Sequence, residues 1–355
     1  MSSVVLLFAS IASSIPFGNS MTVTAHVMDT DGNPAVGAVV KIWTDKDRYQ
    51  GLARSPIYSY FKAVADTNGI AILRFPCHSQ SFQCCAYGDN YYQEKGGYVY
   101  VKATLNYATW TVTLLEHSKE ISFTLRRKKN PTSLFYSKPS VSPKLPRASG
   151  EFGFDLLLND WIEPYGEGKT ADFYVQREAS PTNSNVTVNS GIVFRGEGNG
   201  AYIRKQVTTT SDFKTDYEAD TNEIYQAVLP LRHYPAPNAP MYTFSSVVKG
   251  DEYAVLRTRV EKNAKGEIVN AYYSVIYGPI HIDESFDWLI YAFNPTPNDP
   301  NLERDVEKSV DIKRAKQERL RQLRRRERLE RRKNRLSSGV TVNPTPNDTD
   351  LEPKR

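Results

Sequence analysis

The strongest constraint on this chain is the stretch from Thr22 to Phe75, where polar and apolar residues alternate one by one and turn residues separate the runs. Thr22 to Val27 puts Val23, Ala25 and Val27 on one face and Thr22, Thr24 and His26 on the other, the period of a half-buried β-strand. The TDGN turn that follows has a mechanism: Gly32 takes positive φ at no steric cost, and Pro34 fixes φ where the chain re-enters a strand. Alternation returns over Tyr98 to Thr104, Thr109 to Leu115 and Glu120 to Arg126, with Val99/Val101/Ala103, Trp110/Val112/Leu114 and Ile121/Phe123/Leu125 facing inward. Short strands parted by Gly, Asp and Asn predict a sandwich or barrel and exclude a helical fold here.

Two motifs in this stretch carry a resemblance. VTAHVMDTDGNPAVGAVVKI followed by TNGIAILRF is similar to the carboxypeptidase regulatory-like, transthyretin-like family of Ig-type sandwiches. Asp29, Gly32, Pro34, Gly37, Ala38 and Val40 fall on the family's first motif. Asp66, Thr67, Asn68 and Gly69 fall on the second with Asp and Thr in swapped order, and Ala35 replaces the usual Val. The resemblance spans residues 22–126 and implies a scaffold or spacer; it brings no catalytic residues with it.

The 355 residues suffice for two ordinary domains. After residues 21–127, the segment 128–149 contains Pro131, Pro139, Pro143 and Pro146 among Ser and Lys and reads as an extended linker. The alternative is a basic strand laid across the next domain, for which Leu134, Phe135 and Tyr136 are suited. Residues 150–295 read as a second all-β domain. Phe152/Phe154/Leu156/Leu158, Ala171/Phe173/Val175 and Ile224/Gln226/Val228 have period two. Tyr253 to Val260 and Ile268 to Tyr277 predict a hairpin with Gly266 at positive φ, and Phe286 to Phe293 a closing strand. YGPIHID and FNPTPNDPNLE resemble segments of secreted bacterial proteins without assigned activity. Residues 296–311 are expected to form a turn and linker.

Three features lie outside these modules. Residues 1–20 read as a signal peptide, with an apolar run from Val4 to Ile15 and small residues at Gly18-Asn19-Ser20. The run is too short to span a bilayer and lacks a basic start, the alternative being an ordinary strand. Residues 312–336 predict a basic helix about 38 Å long at about 1.5 Å per residue, with thirteen basic and three acidic side chains from Ile312 to Arg335. Its leucines, at spacings of 3, 6 and 7, make only a broken coiled-coil seam. Arg324, Arg325, Arg326, Arg331, Arg332 and Lys333 form a candidate anion-binding patch, suited to an acidic polysaccharide or cell-envelope component more than to nucleic acid. Residues 337–355 read as a disordered tail holding a repeat: Asn294-Pro-Thr-Pro-Asn-Asp-x-x-Leu-Glu returns at Asn343, 49 positions on. Asp299 before Pro300 predicts a helix cap; the alternative is a duplicated peptide that docks on a protein partner.

Catalytic patterns are sparse. His26, His78, His117, His233 and His281 are scattered without metal spacing, and neither a nucleophile elbow nor a phosphate loop is present. The glycines of YGEGKTAD and FRGEGNGAY read as hairpin turns. Asp29/Asp31/Asn33 starts a calcium-loop spacing that Pro34 and Val40 break, leaving the acids from Asp212 to Glu223 as the alternative cation ligands. Cys77, Cys84 and Cys85 allow a Cys77 disulfide to either neighbour, three structural thiols, or a metal site with His78. Twenty-two tyrosines include Tyr91/Tyr92, Tyr98 and Tyr100, and Tyr272/Tyr273 with Tyr277, which suit either strand packing or a sugar-stacking face. The sequence thus predicts an all-β protein of two β-sandwich domains, the first Ig-like and transthyretin-like, with a Pro-rich linker and a basic C-terminal helix. The expected role is non-enzymatic and cofactor-free, secreted or at the cell surface without a transmembrane segment, in adhesion, surface assembly or ligand binding. The alternatives are an accessory carbohydrate-binding protein and a glycoside-active enzyme whose carboxylate pair only the fold brings together.

Overall fold

The computed structural model describes residues 20–45, 58–106, 111–137, 144–147, 149–181, 186–236, 239–282 and 289–311. Among them the chain is all-β, with no helix. The expected signal segment, the basic helix with its six candidate anion-binding residues, and the second NPTPND copy lie outside the described residues. So do Trp110 and the start of the strand expected from Phe286.

The first region contains β1 (Ser20–Asp29), β2 (Val39–Asp45), β3 (Tyr58–Val64), β4 (Ile70–Pro76), β5 (Ser81–Gly88), β6 (Tyr91–Tyr100), β7 (Ala103–Asn106), β8 (Thr111–Leu114) and β9 (Ser118–Leu125). They form a three-stranded sheet β4-β1-β9, a four-stranded sheet β3-β2-β5-β6 and the hairpin β7-β8. β1 runs antiparallel to β4 and parallel to β9. The alternation of β1 is fully realised: Met21, Val23, Ala25 and Val27 are buried with Leu73 and Phe75 of β4 and Phe123 and Leu125 of β9. Across the interface stand Val40, Ile42, Phe82, Cys84 and Ala86 of the four-stranded sheet, so the two sheets share one core.

Both motif turns fold by one device. Asp29 Oδ1 accepts from the backbone N–H of Asp31 and Asn33 at 3.0 and 2.8 Å, and Gly32 lies at φ 81°. Asp66 Oδ1 accepts from Asn68 and Ile70 at 2.9 Å each, and Gly69 lies at φ 76°. A Cβ on Gly69 would collide with the Val27 carbonyl oxygen, so this position admits only glycine.

The later region contains β10 (Phe135–Ser137), β11 (Gly150–Asp155), β12 (Asp160–Trp161), β13 (Phe173–Pro181), β14 (Val186–Val193), β15 (Gly200–Lys205) and β16 (Val228–Pro230). It continues with β17 (Arg232–Ala236), β18 (Ala239–Ser246), β19 (Glu252–Lys262), β20 (Ile268–Tyr277), β21 (Ile290–Phe293) and β22 (Val310–Asp311). A six-stranded sheet β15-β19-β20-β21-β10-β22 faces a five-stranded sheet β12-β11-β13-β14-β16. Phe152, Phe154, Phe173 and Ile192 pack between them against Leu256, Ile276, Tyr291 and Phe293. The six-stranded sheet is buried on its other face too, where Tyr202, Tyr253, Val255, Tyr273 and Val275 lie with Leu134 and Leu302.

Several sequence expectations do not hold. Part of the segment read as a linker follows the alternative reading instead and is a strand: β10 pairs antiparallel with β21 and parallel with β22, and Leu134 is buried, because the apolar run Leu134-Phe135-Tyr136 finds a place in the six-stranded sheet. The alternation at Ile224 to Val228 does not make a buried strand. Ile224 is 80% exposed, and β16 holds only Leu229 in the core. Asp299 caps no helix; its carboxylate accepts from Asn301 N–H at 3.1 Å and from Asn294 Nδ2 at 3.0 Å in a compact turn. The hairpin β19–β20 forms as expected, with Gly266 at φ 82°.

That compact turn is the first NPTPND copy, and it closes the second face of the six-stranded sheet. Asn298 engages Ala271 at both backbone groups, N–H to its carbonyl at 2.7 Å and side-chain oxygen to its N–H at 2.9 Å. Leu302 fills the apolar cluster behind it.

Candidate functional site

The four-stranded sheet of the first region buries one face and leaves the other open. Register fixes what stands there. In antiparallel pairs, residues directly opposite share a face. Tyr60 stands opposite Trp43, Trp43 opposite Gln83, and Gln83 opposite Tyr98, a single row across all four strands. Two residues along, or three on β6 where the register shifts at a bulge, Lys62 stands opposite Lys41, Lys41 opposite Cys85, and Cys85 opposite Lys95, a second row. With strands ~4.8 Å apart and ~3.4 Å per residue, the rows run about 14 Å across the sheet and about 7 Å from each other.

The tyrosines of this row are open to solvent, while Trp43 between them is half-buried. Tyr60 is 62% and Tyr98 60% exposed, and Tyr100, further along the same strand as Tyr98, is 73% exposed, values far from those of core aromatics. The Lys41 ammonium lies 4.7 Å from the Trp43 ring and 4.8 Å from the Tyr60 ring, a pair of cation–π contacts that holds both rings in place. Lys95 pairs with Asp212 at 3.0 Å. Among the described residues no carboxylate pairs with Lys41 or Lys62, so the lysine row is net positive.

Beyond β6 the face meets the later region. Thr210 to Asp212 lies along the β6 edge: Lys95 N–H donates to the Thr210 carbonyl at 3.1 Å and Asp212 N–H to that of Gln93 at 2.9 Å, while the Thr210 hydroxyl donates to Glu94. Burial pushes the Glu94 carboxyl up, against that hydrogen bond. A cleft of about 430 Å³ opens at this junction, lined by Tyr92, Lys95, Tyr136, Lys214, Tyr277 and Arg304 among others. The Arg304 guanidinium stacks 3.7 Å over the Tyr136 ring. Burial, with Tyr136 beside it, pushes the Tyr277 hydroxyl up to about 12.

The junction is fastened by two buried charges. Glu303 accepts from the Tyr92 hydroxyl at 2.9 Å, Lys129 N–H at 2.8 Å and Asn130 N–H at 2.6 Å. Arg126 donates to the carbonyls of Phe213 and Thr215 at 3.1 and 2.6 Å, and its guanidinium lies 4.4 and 4.7 Å from the rings of Phe213 and Tyr217. Both side chains are almost fully buried with their hydrogen bonds made.

Other sequence candidates are placed as follows. Cys77, Cys84 and Cys85 are free, buried thiols. Cys84 faces the core, where a Cβ on Gly96 would collide with its sulfur; Cys85, the next residue, faces outward beneath the lysine row. Burial pushes their thiols up to about 12 and about 11 respectively. Cys77 Sγ lies 3.3 Å from the Ser79 carbonyl, and His78 is exposed beside it. Among the described residues no group of three or more His, Cys, Asp or Glu is arranged to hold a metal ion. The acids from Asp212 to Glu223 are drawn apart: Asp216 accepts from Tyr253, while Asp220 and Glu223 pair with Arg204 at 3.5 and 2.7 Å. Asp29 serves its turn and Arg127, at 2.6 Å.

Of the tyrosines, Tyr98 and Tyr100 reach the open face. Tyr91 packs against the first core, Tyr92 is committed to Glu303, and Tyr272, Tyr273 and Tyr277 are wholly or partly covered. Tyr60 and Trp43, the other half of the row, carry a period-two signal in KIW and YSYFK, where lysine and aromatic residues recur on one parity.

No family model matches the sequence, and no curated protein matches it. Solved structures similar to it include 3-chlorocatechol 1,2-dioxygenase from Rhodococcus opacus 1CP, at 12% identity and TM-score 0.22, covering 31% of this chain and 61% of that one. An intradiol ring-cleavage dioxygenase from Tetranychus urticae has 12% identity and TM-score 0.20, with 32% and 84% covered. The shaft pilin spaA from Lactobacillus rhamnosus GG, in a point-mutant form, has 10% identity and TM-score 0.20, with 83% and 96% covered. The chain thus spans about three fifths of the first of these. Likenesses at these TM-scores carry no argument about fold or activity. Among the described residues no helix is long and apolar enough to cross a membrane.

Proposed function

We propose that this is a non-catalytic, secreted or cell-surface protein of two β-sandwiches, acting in adhesion, surface assembly or ligand binding. The observation that carries the reading is the open aromatic and lysine face of the four-stranded sheet, held rigid by the core beneath it. Rigid sheets present ligand-binding side chains with less ordering cost than loops do. The bonds through Glu303 and Arg126 join the two sandwiches firmly, as a chain that transmits force or serves as a scaffold requires. Two buried carboxylates of the later region, Asp155 and Asp172, are engaged by Arg259 at 2.9 and 2.8 Å and by backbone N–H groups, which suits a structural role. The basic helix expected over residues 312–336 supplies a second positive surface in this reading.

The exposed row also favours the accessory carbohydrate-binding reading, because flat aromatic faces stack on the apolar faces of sugar rings. An array of immobilised glycans and extracellular proteins, probed with the intact chain, tests both. Retention without release of reducing ends is expected, and Tyr98→Ala is expected to weaken it. Glycan turnover by the purified chain would contradict the non-catalytic reading.

A further inference from the structure

The geometry points to an acidic polysaccharide, a polymer carrying carboxylate or sulfate groups on its sugar rings, as the ligand of the open face, with the aromatic row taking the rings and the lysine row the charges. The inference rests on the ligand-binding reading above and narrows it to one substrate class.

Three observations carry it. First, Tyr60, Trp43 and Tyr98 belong to one row of cross-strand neighbours spanning four hydrogen-bonded strands, an arrangement that suits an extended chain. Gln83, between Trp43 and Tyr98 in that row, offers an amide to sugar hydroxyls. Second, Lys62, Lys41 and Lys95 form a second line about 7 Å away, two residues along β3 and β2 and three along β6, where a bulge shifts the register, within reach of an acidic substituent on a ring stacked in the first line. Third, the charge is moderate. Asp212 already pairs with Lys95, which leaves Lys41 and Lys62 to meet the ligand. That suits a polymer with about one charge per ring and a stacking contribution, whereas a nucleic-acid strand draws on many more phosphate contacts. Lys95 also lines the cleft at the junction, where Lys214 and Arg304 continue the positive surface, so a long chain has a path off the sheet.

The test is affinity electrophoresis of the intact chain in gels containing polygalacturonate, heparin, a neutral β-glucan or single-stranded DNA. Retardation by polygalacturonate or heparin is expected, weakening as NaCl is raised. Trp43→Ala is expected to lower the affinity at least about tenfold, and Lys41→Gln with Lys62→Gln to lower it similarly for acidic polymers only. Unchanged melting temperatures of the variants show that the fold is intact. Equal retardation by neutral glucan, untouched by the lysine changes but lost in Trp43→Ala, would overturn the acidic inference and leave the ligand-binding reading standing. Stronger retention by single-stranded DNA would overturn it in favour of a nucleic-acid ligand. No retardation by any polysaccharide would overturn it as well, and the protein half of the array would then decide the broader reading.

Discussion

The four-stranded sheet of the first region and the six-stranded sheet of the later region are both rich in aromatic side chains, yet they use them in opposite ways. In the six-stranded sheet both faces are covered. Tyr253 donates to Asp216 at 2.8 Å, Tyr202 accepts from Asp220 N–H at 2.8 Å, and Tyr291 donates to the Leu156 carbonyl at 2.6 Å. Each ring is packed and each hydroxyl has a partner, as burial of a polar group demands. In the four-stranded sheet Tyr60, Tyr98 and Tyr100 stand in solvent, and the ring contacts of Tyr60 and Trp43 are with a lysine. Strand propensity explains the first arrangement. It does not explain exposed tyrosines aligned with Trp43 in one cross-strand row, and the difference separates side chains that build the fold from those available to a ligand.

The largest effects that would probe this contrast are expected in the later region. Arg259 lies at φ 53° in a β-bulge and donates to both Asp155 and Asp172. Burial pushes the Asp172 carboxyl up, and Arg259 opposes this. Arg259→Met leaves two buried carboxylates without a cation and is expected to cost ~3–5 kcal/mol in urea unfolding. Tyr253→Ala is expected to cost ~3–5 kcal/mol by opening a cavity and orphaning Asp216. Tyr98→Ala and Tyr60→Ala, by contrast, are expected to stay within ~0.5 kcal/mol of the parent. A large loss at Tyr98 would mean that the open face is structural.

The junction gives an intermediate effect. Glu303→Ala strips the acceptor from Tyr92, Lys129 and Asn130, and at ~1 kcal/mol or more for each orphaned donor a loss of roughly 3 kcal/mol is expected. The smallest effect is expected in acid. Burial would raise the Asp29 carboxyl, but the N–H groups of Asn33 and Asp31 and the Arg127 guanidinium more than offset it and hold it below the usual carboxylate range. Its stabilising contribution is therefore full above an unfolded value of ~3.9 and lost as pH falls through the lower folded one. Asp29→Asn is expected to flatten that acid limb of the unfolding curve. Titration of the unfolded, unreduced chain is expected to count three thiols; a count of one would place a disulfide among Cys77, Cys84 and Cys85.

Much of this was legible in the residues because it is local. The alternation of Thr22 to Val27, the D-x-x-G turns and the Gly266 hairpin each follow from neighbouring side chains and one positive-φ position. What escaped is non-local. The run Leu134 to Tyr136, which the sequence offers as a strand only in the alternative, becomes one because β21 and β22, far later in the chain, lie beside it. Ile224 to Val228 has the strand period but no sheet to face. The candidate site was half legible: Tyr98 and Tyr100 stood out, while Tyr60 and Trp43 join them through pairing register, which composition does not reveal. The first NPTPND copy reads as a turn, but its role in closing a sheet depends on Ala271, reached only in the fold.

Trp43→Ala, assayed in one preparation for melting temperature and for retardation by polygalacturonate, tests the open face most directly. An unchanged melting temperature with retardation lost is the result expected of an open binding row. A lowered melting temperature with retardation intact would show that the rings hold the sheet together and that the ligand binds elsewhere.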